Sequence, residues 1–114
     1  MKQMTLGSVI ATFLATAATA HSGVENTTPA RDATVQAVEA IEMRFDKPMR
    51  VTAITLTGPG GEVAIERETG MAAVTEFRAL PPADLPAGAY TLDWRGLSSD
   101  GHPMQGTFGF TVAD

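Results

Sequence analysis

Apolar residues recur at every second position in several short runs of this chain, the spacing expected of strands with one face on a core and the other in water. In Ile41-Glu42-Met43-Arg44-Phe45-Asp46 the odd residues are apolar and the even ones charged. Tyr90-Thr91-Leu92-Asp93-Trp94-Arg95 repeats the pattern, and Phe108-Gly109-Phe110-Thr111-Val112 does so with small or polar outward positions. The β-branched stretch 51–57 predicts another strand, which Gly58-Pro59-Gly60-Gly61 turns into the short run 62–66. Within 71–78, Val74 and Phe77 fall out of phase, which predicts a bulge or a change of facing, and 81–87 reads as loop. The only window with helical spacing, 33–41, is too short to be stable alone and equally fits an extended approach to the strand at Ile41. Short strands punctuated by glycine and proline predict an all-β domain, a small immunoglobulin-like Greek-key sandwich or barrel of about seven strands.

The start of the chain has a different character. Met1-Lys2, the mostly apolar stretch from Met4 to Ala18, and Ala18-Thr19-Ala20 form the n-region, h-region and A-x-A site of a secretory signal. The stretch falls short of the roughly 20 apolar residues of a bilayer span and carries Thr5, Ser8, Thr12 and Thr16. Residues 1–20 are therefore read as a signal peptide cleaved after Ala20, leaving an exported domain of residues 21–114 with no stable membrane anchor.

Composition narrows the function. At 114 residues the chain holds one small domain, which excludes a two-domain enzyme. Its 8 basic and 13 acidic side chains give a formal charge of −5, and loss of Lys2 makes the exported part more negative still. Nucleic acid is excluded as a partner, since binding it needs a basic face. Without cysteine there is no disulfide framework, no thiolate zinc site and no cysteine nucleophile. No nucleophile elbow, phosphate loop or catalytic carboxylate pair is present. Trp94 and Tyr90 fall on the inward phase and read as core aromatics, while Glu25, Glu39, Glu42, Glu62, Glu66, Glu68 and Glu76 read as a solvated surface.

What remains for chemistry is two histidines, His21 and His102. In Asp100-Gly101-His102-Pro103, positions i and i+2 of an extended segment project to one side and would present a carboxylate and an imidazole together. Pro103 biases His102 toward extended geometry, and Gly101 allows a bend between the two side chains. The plain alternative is an Asx-type turn before a final strand, with His102 a surface residue. His21 weighs against that alternative, because after cleavage it would offer both its α-amine and its ring nitrogen to one metal ion. The reference pKa of an α-amine, roughly 7.7–8.0, makes its deprotonation inexpensive near neutral pH. With His102 and Asp100 this makes three nitrogens and one oxygen, a set that suits tetragonal Cu(II) better than tetrahedral zinc, the second choice.

The segment Gly88-Ala89-Tyr90-Thr91-Leu92-Asp93-Trp94-Arg95-Gly96-Leu97-Ser98-Ser99-Asp100-Gly101-His102-Pro103, followed by Gly106, Phe108, Phe110 and Val112, closely resembles the CopC family of periplasmic copper-binding proteins. His21, followed by Thr28-Pro29-Ala30 and Ala33, resembles the family's opening. The resemblance implies a periplasmic β-sandwich that binds one Cu(II) through the amine and ring of His21, the ring of His102 and the carboxylate of Asp100. It also implies a CopD-type inner-membrane copper transport protein as partner, a role in copper homeostasis or resistance, and no enzymatic activity. Some family members add a Cu(I) site on a Met- and His-rich insertion. The corresponding Gly58-Pro59-Gly60-Gly61 turn has no sulfur donor, and Met43, Met49, Met71 and Met104 are scattered, so no dedicated Cu(I) site is expected. Arg95 is a candidate to brace the metal loop by hydrogen bonding to Asp100 or a nearby carbonyl. Two departures from the family pattern are Lys47, a cation where an acid is usual, and Gly23, expected to loosen the arm that carries His21.

Three functions are thus weighed: a Cu(II) carrier or buffer, a His-brace copper oxidase, and an immunoglobulin-like interaction module without a metal. The oxidase would need a broad aromatic face, and this chain has one Trp and one Tyr, both on inward positions.

Overall fold

The computed structural model describes residues 23–114; the predicted signal peptide and His21 lie outside the described residues. Every regular element among them is a strand: β1 (Val24–Thr28), β2 (Thr34–Val35), β3 (Ile41–Gly58), β4 (Gly61–Val63), β5 (Glu66–Arg67), β6 (Val74–Leu80), β7 (Gly88–Ser98) and β8 (Pro103–Val112). The all-β sandwich expected from the alternation is what forms. The count of eight exceeds the expected seven because β1 and β2, polar and short, carry no apolar alternation to announce them. The window 33–41 is extended, with β2 in it, and is not helical.

One long strand organises the molecule. The first part of β3 pairs antiparallel with β1 and β6, and its second part with β7 and β4. The sheet runs β2-β8-β7-β3-β6-β5 and curls, so that the two parts of β3 lie in different layers. The bend falls where the register against β6 slips between Arg44 and Met49, a segment containing Pro48. This is also the irregularity predicted from the phase conflict of Val74 and Phe77, although the extra residues sit on β3 opposite them. A second slip, between Val51 and Ala53 against β7, moves the inward positions of β3 from odd to even, from Val51 to Leu56.

Both layers bury their apolar faces against each other. Ile41, Met43, Phe45, Phe77 and Ala79 meet Val51, Leu56, Tyr90, Leu92, Trp94, Phe108, Phe110 and Val112, all buried. Burial of each large side chain contributes roughly 1.5–3 kcal/mol. Phe45 packs edge-on against Trp94 at 5.3 Å, and Tyr90 stacks on Phe110 at 5.4 Å, as expected of inward-phase aromatics. Outside, Arg44 pairs with Glu25 and Glu76, and Arg78 with Glu42 and Glu68. These exposed pairs add little stability, and five of the seven glutamates read as solvated belong to this polar shell or to exposed turns.

The Gly58-Pro59-Gly60-Gly61 turn closes the β3–β4 hairpin, as predicted. A Cβ at Gly58 would lie 2.4 Å from the Tyr90 ring, and that ring is tethered through its hydroxyl, which donates to the Pro86 carbonyl at 2.5 Å. Gly58→Ala is therefore expected to destabilise the domain by about 1–3 kcal/mol in urea unfolding, the cost of overpacking. Gly60→Ala, whose Cβ meets nothing within 4 Å, should stay within about 0.5 kcal/mol of wild type.

Candidate metal centre

β7 and β8 pair along their whole length, from Gly88↔Val112 to Leu97↔Pro103, and their connection is what positions Asp100 and His102. Gly101 N–H donates to the Ser98 carbonyl at 2.9 Å, and Ser98 N–H donates to the His102 carbonyl at 2.9 Å. Gly101 has φ +86°, a conformation that suits glycine. This is a three-residue hairpin loop, a tight turn followed by a left-handed residue. Asp100 and His102 face each other across the turn, with Asp100 Oδ2 2.9 Å from His102 Nδ1. The predicted juxtaposition is present, but a turn produces it and not an extended i, i+2 spacing. The Asx-type turn offered as the plain alternative is the scaffold of the pair.

Both side chains are open to water, 76% exposed for His102 and 66% for Asp100, and they are held by their neighbours instead of by burial. The Ser98 hydroxyl donates to Asp100 Oδ1 in a short hydrogen bond. The His102 amide lies 3.1 Å from Ser98 Oγ and 3.4 Å from Asp100 Oδ1. The Ser98 hydroxyl, followed by the His102 amide and then the His102 ring, holds the Asp100 carboxyl below the usual carboxylate range. The loop thus presents an ionised carboxylate at pH values where an ordinary one is partly protonated.

Ser98 was not among the residues singled out from the sequence, though it stands two positions before Asp100, where a hydroxyl serves a turn. Among the described residues Arg95, proposed as the brace, is not one of the side chains that hold Asp100. It lies on the outward face of β7 beside Ala53, Asp93, Gln105 and Thr107, and the side chains that hold Asp100 are Ser98 and His102.

The hairpin loop is one wall of a groove of about 400 Å³ lined also by Gly23, Asp46, Lys47, Pro48, Met49, Ser99 and Met104. The bend of β3 supplies the opposite wall. The first described residue is fixed there: Asp46 N–H donates to the Gly23 carbonyl at 2.8 Å, and Val24 pairs with Phe45. Gly23 itself is held in place, and the arm it was expected to loosen lies outside the described residues. Gly23 adopts φ +76°, and a Cβ there would come within 3.0 Å of Asp46 Oδ1. Lys47 lines the groove. Among the described residues no three His, Asp or Glu side chains converge into a complete metal cage. Asp100 and His102 stand together on one wall of the groove.

Comparison with known proteins follows this geometry. A family model described as the CopC domain matches residues 24–113. Copper resistance protein C of Escherichia coli is 34% identical over 110 residues, covering 87% of this chain and 86% of the relative. Copper resistance protein C of Xanthomonas campestris pv. juglandis is 29% identical over 117 residues, with 95% and 92% coverage. Among solved structures, PcoC of Escherichia coli, described as a methionine-rich copper resistance protein, superposes with a TM-score of 0.66 at 32% identity, covering 78% of this chain and 95% of that one. CopC from Methylosinus trichosporium OB3b gives 0.65 at 25% identity, with 79% and 91% coverage.

If Ser98 is the main support of the ionised carboxylate, Ser98→Ala should raise the Asp100 pKa toward its ordinary value of 3.8. A carboxyl ¹³C NMR titration of the metal-free protein reads this directly. Because the folded-state pKa is depressed, the stabilisation carried by Asp100 is present above the ordinary pKa and is lost as pH falls through the depressed one. The variant should lose the part of that pH dependence that Ser98 carries, the His102 amide and ring supplying the remainder.

Proposed function

The chain belongs to the CopC family, and from that premise we propose that it is a periplasmic copper-binding protein that holds one Cu(II) through His21, Asp100 and His102 and acts as a carrier or buffer in copper homeostasis or resistance. The observation that carries this reading is that Gly23, Asp100 and His102 line one groove. Two residues of extended chain reach about 7 Å, so an arm anchored at Gly23 can return His21 to Asp100 and His102. Cleavage after Ala20 would make the nitrogen of His21 a free amine in place of an amide.

The donor chemistry supports the same ion. Asp100 Oδ2 and His102 Nδ1 lie 2.9 Å apart, so both could reach one ion once the ring and the carboxylate turn from each other toward it. The amine and ring of His21 would complete three nitrogens and one oxygen, a combination that suits Cu(II).

A carrier fits better than an oxidase. The two aromatic residues that could have stood on a substrate-binding face, Trp94 and Tyr90, are both 2% exposed and packed in the core. The open position of Asp100 and His102 suits an ion that is handed on, with a CopD-type membrane protein as the recipient or donor that the family implies.

The test compares protein beginning at His21 with protein carrying one extra residue before it. The extension converts the amine to an amide and should weaken Cu(II) binding by orders of magnitude in a competition titration. Equal affinities would sink the proposal. His102→Ala should lower affinity and change the Cu(II) EPR spectrum, and an unchanged spectrum would return the chain to a metal-free interaction module.

A further inference from the structure

We infer that the surface beside the β7–β8 loop formed by Arg50, Met71, Ala73, Arg95 and Leu97 docks a segment of another protein that carries an apolar side chain between carboxylates. The inference rests on the copper reading only for the cargo that such a partner would exchange. The surface itself needs no metal.

The strand register builds this surface. Arg50 on β3 is paired with Leu97 on β7, and Leu97 with Pro103 on β8. Residues directly opposite each other across a sheet share a face, and all three are exposed. Arg95, two positions from Leu97 along β7, stands on the same face and is exposed as well. On the other side of β3, Val74 pairs with Met49, which brings the preceding Ala73 beside Arg50. Arg50, Ala73 and Leu97 line a groove of about 290 Å³ with Ser98, Ser99 and Gly101. The loop that carries Asp100 and His102 therefore borders this groove as well as the one beside Gly23.

The apolar part of the surface is exposed and yet held. Met71 at 51% and Leu97 at 38% are the large apolar side chains left exposed among the described residues. Met71 stands two residues before Ala73 on a loop that Arg67 fastens. Arg67 Nη2 donates to the carbonyls of Val51 at 2.7 Å and Gly70 at 3.0 Å, and its Nε donates to the Thr69 carbonyl at 3.3 Å. One guanidinium thus ties the start of the Met71 loop to the residue after Arg50. An apolar surface fixed in advance loses little freedom on docking, and exposed apolar side chains gathered beside a polar rim mark contact sites.

Charge identifies the occupant. Arg44 and Arg78 each pair with two glutamates, whereas Arg50 and Arg95 form no ion pair among the described residues, although Asp93 lies two positions from Arg95 on β7. In a chain of formal charge −5, most of the surface repels an acidic partner and these two guanidiniums attract it, which fixes the direction of approach. An anionic bilayer fits less well, because it presents a broad negative plane to the whole acidic molecule. A segment with carboxylates over Arg50 and Arg95 and an apolar side chain against Leu97 and Ala73 satisfies both parts. Such a partner lies against Ser99 and Gly101, within reach of the metal loop.

The test is an amide ¹⁵N NMR titration of metal-free protein beginning at His21 with a short synthetic peptide that carries leucine between glutamates. The expected result is saturable shifts at Arg50, Met71, Ala73 and Leu97. They should be absent with lysines in place of the glutamates or alanine in place of the leucine. Arg50→Glu and Leu97→Ser, both at exposed positions, should each weaken binding by about tenfold, the loss typical of an anchoring contact. Arg44→Glu changes the net charge equally but on the other layer, and should leave binding within about twofold because distant exposed charges are screened. Shifts confined to the face of Glu25 and Glu76, equal weakening by Arg44→Glu, or no shift at all would overturn the inference. So would broadening of the Leu97 and Met71 signals by phosphatidylglycerol vesicles without a response to the peptide, which would make the surface a membrane contact. The two readings fail separately, since the titration needs no metal. Loss of amine-dependent Cu(II) binding with persistent peptide shifts would remove the His21 brace and uphold the docking surface, whereas an intact Cu(II) signal without peptide shifts would do the reverse.

Discussion

The architecture depends on a single strand serving two layers. Because β3 pairs with β1 and β6 over its first part and with β7 and β4 over its second, its bend is the place where the layers are joined and their edges cannot be closed by ladder hydrogen bonds alone. Core packing makes the bend tolerable. Phe45 just before it lies against Trp94 of β7, and Met49 just after it is buried over Gly96. The residues between, Asp46, Lys47 and Pro48, are turned outward into the groove. The groove is thus shaped by a packing constraint, since the same contact that joins the layers holds the bend opposite the β7–β8 loop.

That loop solves a different problem, which is to hold donors ready without burying them. A buried carboxylate and imidazole would be rigid but expensive to desolvate. Here the turn hydrogen bonds fix the backbone, and the Ser98 hydroxyl and His102 amide fix the carboxylate, all near the surface. Exposed positions cost little desolvation, and on the proposed reading they also leave the ion accessible to a partner. On that reading, short polar contacts hold the donors in place for the ion while leaving the site open.

The fold was legible wherever burial imposed a period. Residues 41–46, 90–95 and 108–112 alternate because one face of each is in the core, and those strands form as read. β1 and β2 escaped because their pairing is set by neighbours: Thr34 and Val35 join β8 in parallel through backbone groups, which leave no mark in side-chain type. The candidate pair Asp100 and His102 was legible because both chemistry-bearing types fall beside a glycine and a proline. Ser98 was not, since a serine in a turn is too common to single out. Arg95 was offered as a brace from family likeness; β7 carries it outward among Asp93, Gln105 and Thr107, away from the loop that Ser98 begins.

The cation at Lys47 remains the feature least suited to a copper site, and magnitudes decide how much it matters. Two unit charges 4 Å apart in water interact by about 1 kcal/mol, so Lys47 beside a divalent ion in an open groove opposes binding by about 2 kcal/mol at that separation. Screening at physiological salt reduces this further at greater distance. The neighbouring Asp46 carboxylate, in the same groove, acts in the opposite sense. Metal sites with a full donor set bind with free energies of about 10–16 kcal/mol in zinc-finger peptides, so a nearby solvated charge adjusts such a site without abolishing it. Lys47 would therefore weaken the proposed oxygen- and nitrogen-bound ion by an amount that the Asp46 carboxylate beside it offsets in part.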